Sequence, residues 1–435
     1  MRRLNVVALG FGSSGDVLPF VGMGAELRRR GHDVTVVCNP YFAPQVDEAG
    51  LALRPVGTVA AYHELMADAD AFDWRTYHER LKAHFVRLAE PVYEAVASLH
   101  QPGRTVLLAA QPGAWAAPGT PRIPLVCAVL TPTRLQSRHD PPYPSRPLPA
   151  WSARVAQTRI GLRVFRGLQG ELRRRSSARR SAPAVPSPAS AVLEAINRVR
   201  ARLDMPAIAS VEEWISAPAR TLCMWPEWFS SRQPDWPARA VIAGFPFDAP
   251  AAGESAEPAR PAGDGRRPLV FTTGSVACRQ QAFFAAAAEA CRILERPGVL
   301  VTPHADQIPR PLPAEVTHLA HAPFRELFAR AALVVHHGGI GTIALALAAG
   351  VPQIVRPMVG EQFDLGNRVQ RLGVGRLVTG EGPAPAPLAR MIAALLRSPR
   401  VAERCRHWQA QVDTHQGLAR AADAVEGLAD ADLIG

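Results

Sequence analysis

Residues 336–342 read HHGGIGT, with two histidines, three glycines and a threonine in one short stretch. The apolar run Leu333-Val334-Val335 precedes them, and an apolar stretch starting at Ile343 follows and stops at Gly350. That order predicts a buried strand, a glycine turn and a helix with a glycine stop. The first N–H groups of a helix lack intrahelical partners and sit at the positive end of its dipole, so such a turn favours a phosphate. Glycines let a ligand approach the backbone, while His337 and Thr342 add side-chain donors. A P-loop would need a lysine within its turn, and none is present. The bland reading of the same residues is a tight connection whose histidines only pack.

A second glycine cluster opens the chain. Gly10-Phe11-Gly12-Ser13-Ser14-Gly15 spells G-x-G-x-x-G between an apolar run and a helical stretch, the pattern of a dinucleotide site. Such a site needs an acid at the end of the next strand to hold a ribose hydroxyl. That strand ends Val37-Cys38-Asn39-Pro40, and the nearby acid, Asp33, stands at its beginning, so the dinucleotide reading fails. Asp16, on the loop after the first strand, has two roles open to it. It could accept a proton from a nucleophilic hydroxyl, or it could cap the helix that follows.

The remaining residue types narrow the chemistry. The 435 residues are 48% apolar and 20% charged, as in ordinary globular proteins, and are enough for two or three domains. A net charge of +11 suggests nucleic acid. However, all but one of the basic residues are arginine, spread over the whole chain, and we read this as compositional bias rather than a nucleic-acid surface. Lys82, the single lysine, argues against Schiff-base chemistry. The six cysteines are scattered without a C-x-x-C pair, which predicts neither a zinc cluster nor a disulfide framework and fits a reducing cytoplasm. Asp68-Ala69-Asp70 matches a metal-binding D-x-D in letters only, far in sequence from the phosphate turn. The basic start gives way to a glycine loop too soon for a signal peptide, and no run is long enough to span a membrane.

The elements that must carry these residues alternate along the chain. Strands are expected at 4–9, 34–38, 51–56, 105–110 and 125–130, with helices at 18–30 and 41–50. After an Ala-, Gly- and Pro-rich stretch the alternation restarts, with strands at 269–273, 299–302, 316–320, 333–336 and 353–356 and a helix at 280–295. This predicts an α/β protein of two doubly wound domains facing a central cleft: 1–246, a linker at 247–267, and 268–435. The helical tail, 401–428, could return to the first domain. Ligands of open α/β sheets bind at the carboxyl edge, so the cleft is the expected site. Residues 151–181 stand apart, with nine arginines against Glu171 and apolar residues at helical spacing, which suits either a solvated helix or contact with an anionic surface.

The glycine turn continues through Ala348-Ala349-Gly350-Val351-Pro352 to Pro357-Met358-Val359-Gly360-Glu361-Gln362. This resembles the donor signature of family 1 nucleotide-sugar glycosyltransferases, and Gly15 to Phe20, reading GDVLPF, resembles their bacterial acceptor-domain loop. The likeness is closest to the rhamnosyltransferase B subunits of rhamnolipid synthesis. It rests on Pro234-Asp235-Trp236-Pro237, Gly244-Phe245-Pro246, Phe271-Thr272-Thr273-Gly274-Ser275, Ala322-Pro323-Phe324 and Arg371-Leu372-Gly373-Val374-Gly375. The resemblance implies the GT-B fold, with two Rossmann-like domains. It implies that His337 and the backbone of Gly339, Gly341 and Thr342 hold the donor diphosphate, with Gly274 and Ser275 opposite. Ala322 and Pro323 would lie beside the nucleobase, Glu361 and Gln362 would meet sugar hydroxyls, and Asp16 would be the general base. The family usually has Asp-Gln where this chain has Glu361-Gln362, a departure that bears on sugar selectivity.

The expectation is therefore an inverting, metal-independent transferase without a cofactor, using a nucleotide sugar as co-substrate. The specific reading is L-rhamnose from dTDP-L-rhamnose onto a hydroxyl of a lipidic molecule, in the cytoplasm or on the inner membrane face through 151–181. Glucose from UDP-glucose onto a sterol, carotenoid or polyketide is the second reading within the class. From other classes come a sugar-nucleotide epimerase, which would release product without an acceptor, and a non-catalytic accessory subunit, which would lack the phosphate turn and the base.

Overall fold

The computed structural model describes residues 2–67, 77–110, 123–135, 137–140, 142–143, 188–202, 204–210, 219–246, 266–274, 279–379 and 384–428. The linker residues 247–265, the arginine-rich segment 151–181, the Asp68 to Asp70 stretch and Ser275 lie outside them. The first half begins β1 (Asn5–Leu9), α1 (Ser14–Arg29), β2 (Asp33–Cys38), α2 (Ala43–Glu48), β3 (Ala52–Pro55), α3 (Val59–Ala67) and α4 (Tyr77–Leu99). It continues β4 (Thr105–Ala109), β5 (Leu125–Val129), α5 (Pro188–Arg202), β6 (Arg220–Cys223) and β7 (Ala240–Ile242). The strands pair in parallel in the order β3-β2-β1-β4-β5-β6-β7. β1, β4 and β5 are buried along their whole length, as expected for strands covered on both faces.

The second half comprises β8 (Leu269–Thr272), α6 (Gln281–Leu294), β9 (Gly298–Val301), β10 (Val316–Leu319), α7 (Phe324–Arg330), β11 (Leu333–His336) and α8 (Ile340–Ala348). It ends β12 (Gln353–Val355), α9 (Gln362–Leu372), β13 (Gly375–Leu377), α10 (Pro385–Leu396), α11 (Pro399–Gln409) and α12 (Thr414–Glu426). This sheet is also parallel, ordered β10-β9-β8-β11-β12-β13. In each sheet the order reverses beside the first strand, β1 or β8, which opens a crevice at the carboxyl ends there. Both glycine clusters of the sequence emerge at these reversals.

The expected tail helix is two helices, broken at residues 410–413. α12 leaves the second sheet and joins the first core, where Leu418, Ala421, Ala422 and Val425 pack with Leu4, Val6, Phe20 and Leu27. Arg30 fixes its end through Glu426 at 2.8 Å and Asp423 at 2.6 Å. The His32 Nδ1 atom accepts from the Leu4 N–H at 3.2 Å, so its Nε2 carries the hydrogen and donates to Glu426 at 2.9 Å. α12 crosses the chain backbone-to-backbone, with Gly417 against the Phe245 carbonyl, where a Cβ on Gly417 would collide, and with Gly244 beside it at φ +115°. A second apolar cluster spans the halves, joining Trp225, Phe229 and Phe245 to Ile343, Leu347, Leu365 and Val369.

Candidate active site

The two adjacent histidines of the glycine turn do different things. His336 ends β11 fully buried; its Nδ1 accepts the Gly338 N–H at 3.1 Å, so its Nε2 donates to the Gln353 Oε1 atom at 3.0 Å. Burial, with His337 alongside, pushes its pKa down to about 3, and it serves as a neutral bracket between strands. His337 turns outward. Its ring lies against two glycines, so that a Cβ on Gly274 would sit 2.8 Å from its Cε1 and one on Gly339 2.7 Å from its Nε2. Burial pushes its pKa down to about 4, which leaves it neutral near pH 7. Its Nδ1 is buried without a hydrogen-bond partner among the described residues. α8 starts at Ile340 with Gly339 as its extended cap and no side chain bonded there. Its first internal bond runs from the Ile343 N–H to the Gly339 carbonyl at 3.0 Å. The N–H groups of Gly339, Ile340, Gly341 and Thr342 precede that bond, the orphan set of a helix start.

Because the sheet is parallel, every connection leaving a strand end shares this edge. Gly274 follows β8 at φ +81°, a conformation that suits glycine, and its N–H bonds Thr272 Oγ1 at 3.2 Å. Ala322 and Pro323 follow β10, two strands away, with Pro323 buried at the start of α7. Glu361 and Gln362 follow β12 and begin α9. The Gln362 carbonyl oxygen accepts from Met358 and Val359 N–H groups at 2.8 and 3.2 Å, so only its amide nitrogen is left for a ligand. Sequence reasoning missed Thr273 and His304, whose Thr273 Oγ1 and His304 Nε2 atoms are also buried without partners among the described residues. Three unsatisfied polar atoms at the ends of three strands are costly in a water-free interior, and they mark an edge built to meet polar groups.

Asp16 is not on a loop, as the sequence suggested, but in the first turn of α1, which starts four residues earlier than expected despite Pro19. Pro19 is the sixth residue of this helix, in its second turn, where the missing N–H leaves the Gly15 carbonyl without its helical partner. The Ser13 N–H and hydroxyl both donate to Asp16 Oδ2, each at 2.9 Å. Gly12, at φ +127°, allows this, since a Cβ there would stand 2.5 Å from the same oxygen. The pKa of Asp16 is raised, first by burial and then by the Glu361 carboxylate, against the lowering effect of Ser13 and Arg134. Asp16 belongs to the first sheet and Glu361 to the second, so the two carboxyl edges face each other across one cleft. Beside Asp16, Tyr62 stacks on Tyr41 at 4.3 Å between ring centroids and meets Phe42 edge-on, an aromatic wall that no motif announced.

Among the described residues no group of three or more His, Cys, Asp or Glu could hold a metal ion, and no helix is long and apolar enough to cross a membrane. Residues 299–415 match the family model of the C-terminal domain of erythromycin biosynthesis protein CIII-like proteins. The chain is 28% identical to the O-mycaminosyltylonolide 6-deoxyallosyltransferase of Streptomyces fradiae, over 98% of each chain. It is 36% identical to a sterol 3-beta-glucosyltransferase of Aspergillus clavatus over 26% of this chain, which spans only 8% of that protein. The kitacinnamycin glycosyltransferase superposes with a TM-score of 0.69 at 21% identity, covering 98% of this chain and 99% of that one. The spinosyn rhamnosyltransferase superposes at 0.65 with 18% identity, covering 98% and 100%. The chain has the GT-B fold, and the relatives and solved structures that it resembles over its whole length are glycosyltransferases. In this fold the first sheet carries the Asp16 side of the cleft, and the second carries the glycine turn.

Proposed function

We propose that this protein is a glycosyltransferase that moves a 6-deoxyhexose, L-rhamnose by preference, from a thymidine diphosphate donor to a hydroxyl of a hydrophobic small molecule, with inversion and without a metal. The observation that carries the reading is the apposition of Asp16 to an edge bearing His337, the open α8 start, Glu361 and Gln362. The acceptor oxygen attacks the anomeric carbon while Asp16 takes its proton. The bond from that carbon to the diphosphate breaks, and the electron pair leaves with the diphosphate oxygen. The transition state has oxocarbenium character, as in glycoside hydrolysis. Charge grows on the leaving oxygen, where the N–H groups of Gly339, Gly341 and Thr342 and the neutral His337 imidazole stabilise it more than they stabilise the ground state. Gly274 meets the phosphates from the opposite side, Ala322 and Pro323 flank the base, and Glu361 and the Gln362 amide orient sugar hydroxyls.

A structure of the spinosyn rhamnosyltransferase with thymidine diphosphate, and the 6-deoxyallosyl transfer named for the Streptomyces relative, support a deoxysugar donor. The resemblance of its motifs to rhamnolipid rhamnosyltransferases supports a lipid-like acceptor, and the Tyr41–Tyr62 wall suits an apolar one. Peripheral attachment to an anionic surface through residues 151–181 belongs to the same proposal. A second reading, UDP-glucose as donor with a sterol-like acceptor, is favoured by the match to the sterol glucosyltransferase. Mass spectrometry of products from dTDP-rhamnose and UDP-glucose, each offered hydroxyalkanoyl lipids, a macrolide aglycone and a sterol, tests both. Mass gain of a deoxyhexose on an acceptor supports the first reading. Free sugar or an epimerised nucleotide as the sole product would overturn transfer altogether.

A further inference from the structure

A ring of hydrogen bonds closes between the two sheets at the start of α9. Asp364, in the first turn of that helix, accepts the Tyr143 N–H on Oδ1 at 2.9 Å and the Arg368 Nε–H on Oδ2 at 2.7 Å. Arg368 reaches on to Asp140 Oδ2 through Nη2 at 2.8 Å and to the Phe229 carbonyl through Nη1 at 3.4 Å. Asp364 and Arg368 are 3% and 5% exposed. Tyr143 packs on Phe363 and Leu377, which covers the ring with apolar side chains. The connection after β5 is held at its other end too, because Asp235 accepts from Ser137 Oγ at 2.7 Å and the Arg138 N–H at 2.8 Å.

Within α9 alone, Asp364 would satisfy Arg368 as an i,i+4 pair. The bonds to Asp140 and Tyr143 are different, because both come from the acceptor-side sheet. A buried cation and carboxylate cannot part cheaply, so the connection and the helix start move together or not at all. Asp364 stands three residues after Glu361, on the turn that presents Glu361 and Gln362. We infer that Asp140 is a positioning residue: through Arg368 and Asp364 it sets the register of Glu361 and Gln362 and ties sugar engagement to the acceptor-side connection. The inference rests on the proposed role of Glu361 and Gln362 at the donor sugar.

Asp140→Asn tests it without orphaning Arg368, which keeps Asp364 and the Phe229 carbonyl. Binding of thymidine and uridine diphosphates, which use the α8 start, should stay at the wild-type level by calorimetry. Turnover should fall on the order of tenfold to a hundredfold, the cost of slight misplacement of reacting groups, and Asp140→Glu should restore part of it. Hydrogen exchange should rise together at residues 137–143 and in the first turn of α9, and stay unchanged in α8. Unaltered exchange at both places, or a proportional loss of nucleotide affinity and melting temperature, would overturn the positioning role. A wild-type protein that neither binds nucleoside diphosphates nor transfers sugar would overturn the functional reading instead, and the exchange measurement would still decide the ring.

Discussion

His337 and Gly274 meet face to face across the crevice between β11 and β8: a methyl group on Gly274 would lie 2.8 Å from the imidazole Cε1. The ring is thereby packed against backbone while its Nδ1 has no partner among the described residues, and its contribution to binding can be separated from its contribution to folding.

His337→Ala should weaken nucleoside diphosphate affinity by about 1.5–3 kcal/mol, the range for a hydrogen bond to a charged group. That is roughly tenfold or more in the dissociation constant. The melting temperature of the ligand-free protein should change little, since the neutral ring has no bond at Nδ1 among the described residues for the substitution to break. Calorimetry with and without EDTA checks both points; affinity that collapses in EDTA and returns with Mg²⁺ would contradict the metal-free account.

Asp16→Asn should lower turnover by roughly 10²–10⁴-fold while nucleotide affinity holds. As a base, Asp16 works only when ionised, so activity falls as pH drops through its pKa. Its pKa is raised from the ordinary 3.8, which places the acid limb of kcat/KM above that of a free aspartate. Glu361→Gln removes a like charge that favours protonation, and the limb should move to lower pH. A limb that stays put in Glu361→Gln would mean the two carboxylates do not act on each other in solution.

Gly417→Ala would ordinarily favour a helix by up to about 1 kcal/mol. Here the added carbon runs into the backbone of Phe245, which has no rotamer with which to yield. We expect net destabilisation of about 1–3 kcal/mol, typical of overpacking, read by denaturant unfolding. A variant as stable as wild type would show that the crossing relaxes freely.

Reversing Arg173, Arg174 and Arg175 to glutamate should raise KM for a carboxylated lipid acceptor and leave a neutral acceptor unaffected. The difference should fade with salt, because the screening length shrinks from ~10 Å at 0.1 M to ~3 Å at 1 M. Equal effects on both acceptors would remove the case for electrostatic recruitment.

The central strands were legible because parallel strands covered on both faces are continuous apolar runs, as β1, β4, β5 and β11 are. β6, β7 and β13 were not: each is only three or four residues long and carries an arginine or a half-exposed position, too little for a periodic signal. The long α4 was missed as well, because Pro91 in its interior reads as a helix stop. For the cleft, local motifs pointed to Asp16, His337 and Glu361, since backbone turns demand particular residue types nearby. What the sequence could not offer was the encounter of Asp16 with Glu361, or of Asp140 with Arg368. Each pair is made by two chain segments more than two hundred residues apart, and no local spacing encodes it. The placement of Asp16 failed by one turn for a related reason: Ser13 and Asp16 together start the helix inside what reads as a glycine loop.

The return of α12 to the first core means that the chain is not modular in the way its two sheets suggest. An amino-terminal half excised before the linker would leave Leu4, Phe20 and Leu27 without the wall that Leu418, Ala422 and Val425 supply. It would also strand Arg30 and His32 without Glu426. A chimera that exchanges the first half between related chains must therefore transplant two pieces of gene, the first half and the last helix, as one inheritable unit. Recombination with a single breakpoint in the linker would pair each Arg30 with a foreign tail, so lineages that shuffle their first halves should show Arg30, His32, Asp423 and Glu426 travelling together.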